Sequence, residues 1–245
     1  IVSKDGDYEP FIEDDVLTTT TGLHIDNLRD ILYVCITSMT GEAAGVAGYD
    51  LKSGERVLYV DLLGMTSGSP QFPNDLITDF YGNLYITDSF ASVVYKIDRS
   101  GEASIFLDDD RLISSMGFGL NGITYHPFGF LLVATGDDVF FRIPVNDPES
   151  FTEVPLGIGG NVDGIQITSF RTILAVSGSE VFKLRSRDLW RSVEVDGSYT
   201  VEGGAPTTLA NSYFNKTYAV NAFLSELGST PPKLDFSLEL VDFKN

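Results

Sequence analysis

Five stretches of this chain repeat one plan. They read TGLHIDNLRDILYV from Thr21, NDLITDFYGNLYIT from Asn74, NGITYHPFGFLLVA from Asn121, DGIQITSFRTILAV from Asp163 and TTLANSYFNKTYAV from Thr207. Each opens on a polar residue, adds a small or polar one, and runs into a short strand, a turn and a second apolar strand. The starts lie 53, 47, 42 and 44 residues apart. A period of that length holds one small sheet that cannot bury its apolar face alone, so neighbouring repeats must stack. The rest of each period supplies two more strands. Third strands read VAGYDL from Val46, VVYKID from Val93, VFFRIP from Val139, VFKLRS from Val181 and FSLELV from Phe236. Fourth strands read RVLYVDL from Arg56, ASIFLD from Ala103, FTEVPL from Phe151 and RSVEVD from Arg191.

The repeat predicts an all-β chain: a β-propeller of four-stranded blades, one domain over residues 1–245. Inner strands are expected to begin near Leu23, Leu76, Ile123, Ile165 and Leu209. No heptad or long 3.6-residue period appears, so helix is expected to be minor. The fifth repeat reaches Asn245 without a fourth strand, while DGDYEPFI, Asp5 to Ile12, is a spare one. Residues 1–15 are therefore expected to supply an outer closing strand, since an unpaired sheet edge invites aggregation.

Composition agrees with this reading and excludes some partners. Apolar residues make up 43% of the 245, enough for a sizeable core, and 17 Phe, 11 Tyr and 24 Gly suit short strands and tight turns. The formal net charge of −19 repels phosphate backbones and anionic lipids, so nucleic acid is not an expected partner. An acidic surface of this kind ordinarily serves solubility. No run approaches the roughly 18 apolar residues of a membrane helix. Cys35, alone in the apolar run Ile31–Ile36, reads as a small buried hydrophobe and allows no intrachain disulfide. The chain opens on Ile1 rather than Met, which reads as a processed product or a fragment. The sequon Asn215-Lys216-Thr217 favours a secreted or extracytoplasmic location.

The first strand of each propeller repeat is innermost, so residues at its start face one mouth of the central channel. Asn74, Asn121 and Asp163 would converge there from different blades. Simple turn capping is the competing reading for each of them taken singly.

At these residues the chain resembles the senescence marker protein, gluconolactonase and luciferin-regenerating enzyme group of six-bladed propellers. The segments that carry the resemblance are PNDLITDFYGNLYITDS, LNGITYHPFGFLLVATG, VDGIQITSFRTILAVSG and PTTLANSYFNKTYAVNA, and it covers nearly the whole chain. It implies a divalent metal, often calcium, in the channel. Asn121 and Asp163 match metal-ligand positions, and Asn74 matches an asparagine that contacts substrate or metal-bound water. Such oxygen donors suit a hard cation. The metal would polarise a lactone carbonyl or acidify a bound water, with Asp163 as the general base. Two departures stand out. The family's glutamate ligand has no counterpart after Ile1, and a substrate-binding arginine is replaced by Phe72. Blade number stays open between five, closed by the N-terminal strand, and six in a longer chain.

Other motifs weigh less. Gly117-Phe118-Gly119-Leu120-Asn121-Gly122 fits GxGxxG, but a strand follows where a dinucleotide site needs a helix. The acidic stretch Asp5–Asp15 has Pro10 where a calcium loop requires Gly. Asp108-Asp109-Asp110 reads as a solvated loop and His126 as a surface turn residue. His24 lies on an inner strand, and the two histidines lack zinc-ligand spacing. No GxSxG elbow occurs. Trp190 and Tyr199 are expected to pack between blades. Three functions remain: a propeller that binds a small ligand, with or without calcium; a non-catalytic scaffold for a protein partner; and a metal-dependent lactone or ester hydrolase.

Overall fold

The computed structural model describes residues 1–3, 5–67, 70–115, 118–202, 204–211, 216–224 and 236–243. They form five antiparallel meanders, four of four strands and one of three. The first comprises β1 (Thr20–Asp26), β2 (Ile31–Ile36), β3 (Gly45–Asp50) and β4 (Arg56–Asp61). The second holds β5 (Pro73–Thr78), β6 (Leu84–Asp88), β7 (Val93–Ile97) and β8 (Ala103–Asp108). The third holds β9 (Leu120–His126), β10 (Phe130–Thr135), β11 (Val139–Pro144) and β12 (Thr152–Pro155). The fourth holds β13 (Ile165–Ser169), β14 (Thr172–Ser177), β15 (Glu180–Arg185) and β16 (Glu194–Thr200). In the fifth, β17 (Thr208–Asn211) pairs β18 (Thr217–Asn221), which pairs β19 (Ser237–Leu240). The expected all-β blades are thus present, in the expected strand order. Helix among the described residues is limited to short 3-10 stretches, at Asp110–Leu112, at Pro148–Ser150 and at Leu224.

The chain divides into two compact units, Ile1–Asp108 with the first two sheets and Asp109–Asn245 with the other three. In the first unit, Tyr33, Cys35, Val46 and Leu62 pack face to face with Leu76, Ile86, Val93 and Tyr95. Burial drives the Cys35 thiol pKa well above its usual range, and the residue is core, as expected. In the second unit, Phe130, Leu132 and Phe140 meet Ile173, Ala175 and Leu184, with Trp190 between the two sheets. Tyr199 joins the next layer, with its ring edge-on to Phe243 and its hydroxyl donating to Glu239 Oε1 at 2.8 Å. Both aromatics are packing residues.

Acidic residues shape many of the turns. Gly82 N–H donates to Asp79 O and Gly101 N–H to Asp98 O, and both glycines have positive φ. The Asp79 and Asp98 carboxylates each accept two further backbone N–H groups within the turn. Asp then occupies the first position of a type I turn and Gly the fourth. Asp109 is likewise no merely solvated residue. It caps the 3-10 turn at Arg111 N–H and pairs with the Arg111 guanidinium, whose hydrogen bonds draw its pKa down to about 2.

The N-terminal segment differs from expectation. No described residue of Asp5–Ile12 lies in a strand, and the β-bridge of Tyr8 to Val2 is an isolated one. The physical reason lies just downstream. Ile12, Val16 and Leu17 pack on Val34, Ile36, Ala47 and Tyr49, while Asp14 pairs with Arg56 at 2.9 Å and accepts from the Tyr49 hydroxyl. These contacts hold the segment on the first sheet. The sequon residue Asn215 and Gly117 of the glycine-rich stretch lie outside the described residues. No described helix is long and apolar enough to cross a membrane.

Candidate functional site

The polar pair that opens a repeat is a bulge in the first three sheets. In the second sheet, Pro73 faces Asp88 and Leu76 faces Ile86, so Asn74 and Asp75 together oppose Thr87. In the third, Thr135 faces Leu120 and Val133 faces Ile123, so Asn121 and Gly122 oppose Ala134. Thr21 and Gly22 oppose Cys35 in the same way. Bulges bend a strand and re-aim its side chains, and they recur beside sites. These three inner strands therefore begin slightly earlier than the apolar pattern suggests, with the polar residue inside the bulge.

A second device sits beside the first. Gly22 lies so close to the next sheet that a Cβ would stand 2.6 Å from Asn74 O and from Asp75 Cα. In the second unit a Cβ on Gly122 would press on Asp163 O, and one on Gly164 would lie 2.6 Å from Thr208 Cα. Gly122 N–H donates to Asp163 O at 3.1 Å, and Gly164 N–H to Thr207 O at 2.9 Å. Neighbouring inner strands thus touch backbone to backbone. The readable signal was Gly at the second place of three repeats, which the description "small or polar" leaves unused.

The expected residues are now placed. Asn121 lies in the β9 bulge, directly before the glycine that bonds Asp163, so these two come together in the second unit; both are half-buried. Asp163 is held by its own N–H on Val176 O at 2.9 Å. Asn74 holds the equivalent register in the first unit. Its amide donates to Ser89 Oγ at 2.9 Å, within its own sheet. Phe72 is core, with its ring 4.6 Å from that of Phe90. Among the described residues no three His, Cys, Asp or Glu side chains gather to hold a metal.

His24, on β1, reaches Thr78 Oγ1 of β5 through Nε2 at 2.8 Å. Burial lowers its pKa to about 4, with nearby Asp26 opposing the shift. The folded state therefore keeps this imidazole neutral, while the unfolded chain takes a proton near pH 6.5. Stability is full above that value and is lost as pH falls towards 4. Between pH 7 and pH 5 the loss should be about 2 kcal/mol. Urea titrations at both pH values will show it, and His24→Gln should remove most of the difference.

His126 corrects the sequence reading: it is fully buried, not a surface residue. Its ring stacks on Phe130 at 4.3 Å, and its Nε2 donates to Phe170 O at 2.9 Å while Nδ1 accepts from Phe128 N–H. That pattern requires the neutral imidazole with its proton on Nε2, and burial lowers the pKa accordingly.

No protein-family model matches the chain, and no curated protein matches it. Solved structures do. The major allergen Mala s 1 of Malassezia sympodialis aligns over 91% of this chain and 78% of its own, with a TM-score of 0.74 and 18% identity. The fold is a β-propeller. A gluconolactonase of Xanthomonas campestris aligns over 85% of this chain and 70% of its own, with a TM-score of 0.60 and 16% identity. Virginiamycin B lyase of Staphylococcus aureus aligns over 96% and 74%, with a TM-score of 0.62 and 12% identity. Gluconolactonase-type propellers therefore share this architecture, and identities this low speak for the fold alone.

Proposed function

We propose that the chain is a gluconolactonase-like propeller that binds a small ligand where its inner strands begin, through Asn121 and Asp163. The supporting observation is the Gly122–Asp163 backbone contact, which sets the β9 bulge beside the start of the fourth sheet. Asn74 holds the equivalent place in the repeat within the first unit. Amide and carboxylate groups suit a hydroxylated ligand with a carbonyl or lactone, to which the amides donate and from whose hydroxyls Asp163 accepts.

Calcium is the cofactor this reading includes. The Asp163 carboxylate and the Asn121 amide oxygen match its preference for oxygen but fall well short of the 6–8 donors of a full shell, so binding should be weak. A cation held there would polarise a ligand carbonyl. Asp163 would orient or deprotonate the attacking water in the hydrolytic version of this function. Phe72, buried where the resembling family has arginine, argues against the sugar-acid preference of that family.

Calorimetric titration tests the proposal with calcium and with a panel of sugar and alkyl lactones, separately and together. Wild type should bind at least one of them. Asp163→Asn should weaken calcium at least tenfold, because it removes the only charge of the pair, while Asn121→Ala weakens the lactone. Absence of binding to wild type would overturn the proposal. Binding without ring opening would leave a non-catalytic ligand-binding propeller.

A further inference from the structure

The far end of the inner strands in the second unit carries a different surface. Phe128, in the β9–β10 turn, and Phe170, in the β13–β14 turn, are 62% and 60% exposed. Their rings nevertheless stack at 5.7 Å with 16° between planes. Buried groups hold this arrangement from beneath. His126 Nε2 and Trp190 Nε1 both meet the single carbonyl of Phe170, at 2.9 and 3.1 Å. Arg142 lies 4.0 Å above the Phe130 ring on which His126 stacks, and its Nε donates to the carbonyl of half-exposed Leu189. Two buried donors spent on one turn carbonyl make a rigid platform, and rigid exposed aromatics favour binding because little entropy is lost on contact.

The charge around this platform runs against that of the molecule. From Ile165 to Thr200 the chain has five basic residues, Arg171, Lys183, Arg185, Arg187 and Arg191, against four acidic ones, Glu180, Asp188, Glu194 and Asp196, whereas the whole carries −19. Arg171 adjoins Phe170. Arg185 faces Thr172 on one side of its strand and Glu194 on the other, and Ser186 N–H donates to Arg171 O. Both arginines are exposed and form no ion pair among the described residues. Glu194 pairs with Arg187 at 3.6 Å, so the guanidinium groups of Arg171 and Arg185 keep their hydrogen-bonding capacity for a carboxylate from outside. Charges farther away than about 10 Å are screened, so this local sign governs close contact.

We propose that Phe128, Phe170, Arg171 and Arg185 form a docking platform for an acidic peptide segment of a partner protein. An aromatic or large aliphatic side chain of that segment lies on the phenyl pair, and its flanking carboxylates meet the two arginines. Bidentate guanidinium–carboxylate pairing supplies the geometry. The platform lies at the opposite end of β9 from Asn121, so it stands independently of the ligand-binding proposal.

Selection of displayed random peptides on the whole chain tests it. Enriched sequences should combine carboxylates with one large apolar residue. Their affinity should fall about tenfold or more for Arg171→Glu with Arg185→Glu, and likewise for Phe128→Ser with Phe170→Ser. Thermal stability should hold in both variants, because these side chains are exposed. Asp163→Asn should leave peptide binding unchanged. Absence of enrichment, enrichment of basic or neutral sequences, or indifference to the substitutions would overturn the proposal. So would phosphatidylserine vesicles that bind wild type and release both variants, since the surface would then serve a membrane.

Discussion

Gly122→Ala will destabilise the protein by about 3 kcal/mol or more, although it adds only one methyl group. The added carbon would meet Asp163 O and stand 2.9 Å from Ile165 N and 3.2 Å from Gly164 Cα. All three are backbone atoms of the neighbouring sheet, so no side chain can rotate out of the way. Relief requires the two inner strands to separate, which stretches the Gly122–Asp163 hydrogen bond. Gly64→Ala is the fitting control. That glycine has a φ of +77° and open space around it, so substitution should cost only about 1–2 kcal/mol of backbone strain. Chemical denaturation of both variants will measure the contrast. Equal costs would show that backbone strain, not the close approach of strands, governs these glycines.

Asp88→Ala should cost about 3–5 kcal/mol. The carboxylate is fully buried at the end of β6. It accepts N–H groups of Phe72 at 2.9 Å, Phe90 at 2.9 Å and Ala91 at 2.8 Å, and the Tyr95 hydroxyl at 3.0 Å. Burial raises its pKa in spite of these bonds, so the ion carries a desolvation cost that alanine would remove. Four orphaned donors, at about 1–3 kcal/mol each when buried, outweigh that saving. Asp88→Asn keeps the shape but retains one acceptor oxygen and turns an amide N–H2 towards existing donors, so it should recover little. The sign of the pH dependence follows from the raised pKa. The folded chain holds this proton more readily than the unfolded one, so Asp88 favours folding most at low pH and less as pH rises through its folded pKa. Urea midpoints of wild type and Asp88→Asn, compared between pH 4 and pH 7, will check both statements.

The blades were legible in the sequence because they rest on period-two apolar strands repeated at one spacing, a signal that survives local irregularity. Strand starts near Leu23, Leu76, Ile123, Ile165 and Leu209 all fall in or at the head of the observed inner strands. Bulges were not legible, since two residues opposing one is a property of pairing and leaves no mark on a single strand. Asp88 looked like any acid after an apolar strand; only the folded loop reveals four donors aimed at it. His126 misled for a related reason. His-Pro before a glycine reads as an exposed turn, but the neighbouring Phe170 carbonyl and the Phe130 ring enclose the imidazole. The N-terminal strand was inferred from a deficit elsewhere in the chain. The anchoring of Ile12, Val16 and Leu17 on the first sheet is a tertiary preference that strand counting does not reveal.

The glycine contacts have an evolutionary side. A junction made of hydrogen atoms and peptide groups specifies nothing about the side chain that precedes it. Asn121, one residue before Gly122, can be exchanged for another polar type by a few nucleotide changes without loosening the join between sheets. Architecture and chemistry are thus inherited on separate, adjacent codons. A chain that keeps the first is free to diversify the second.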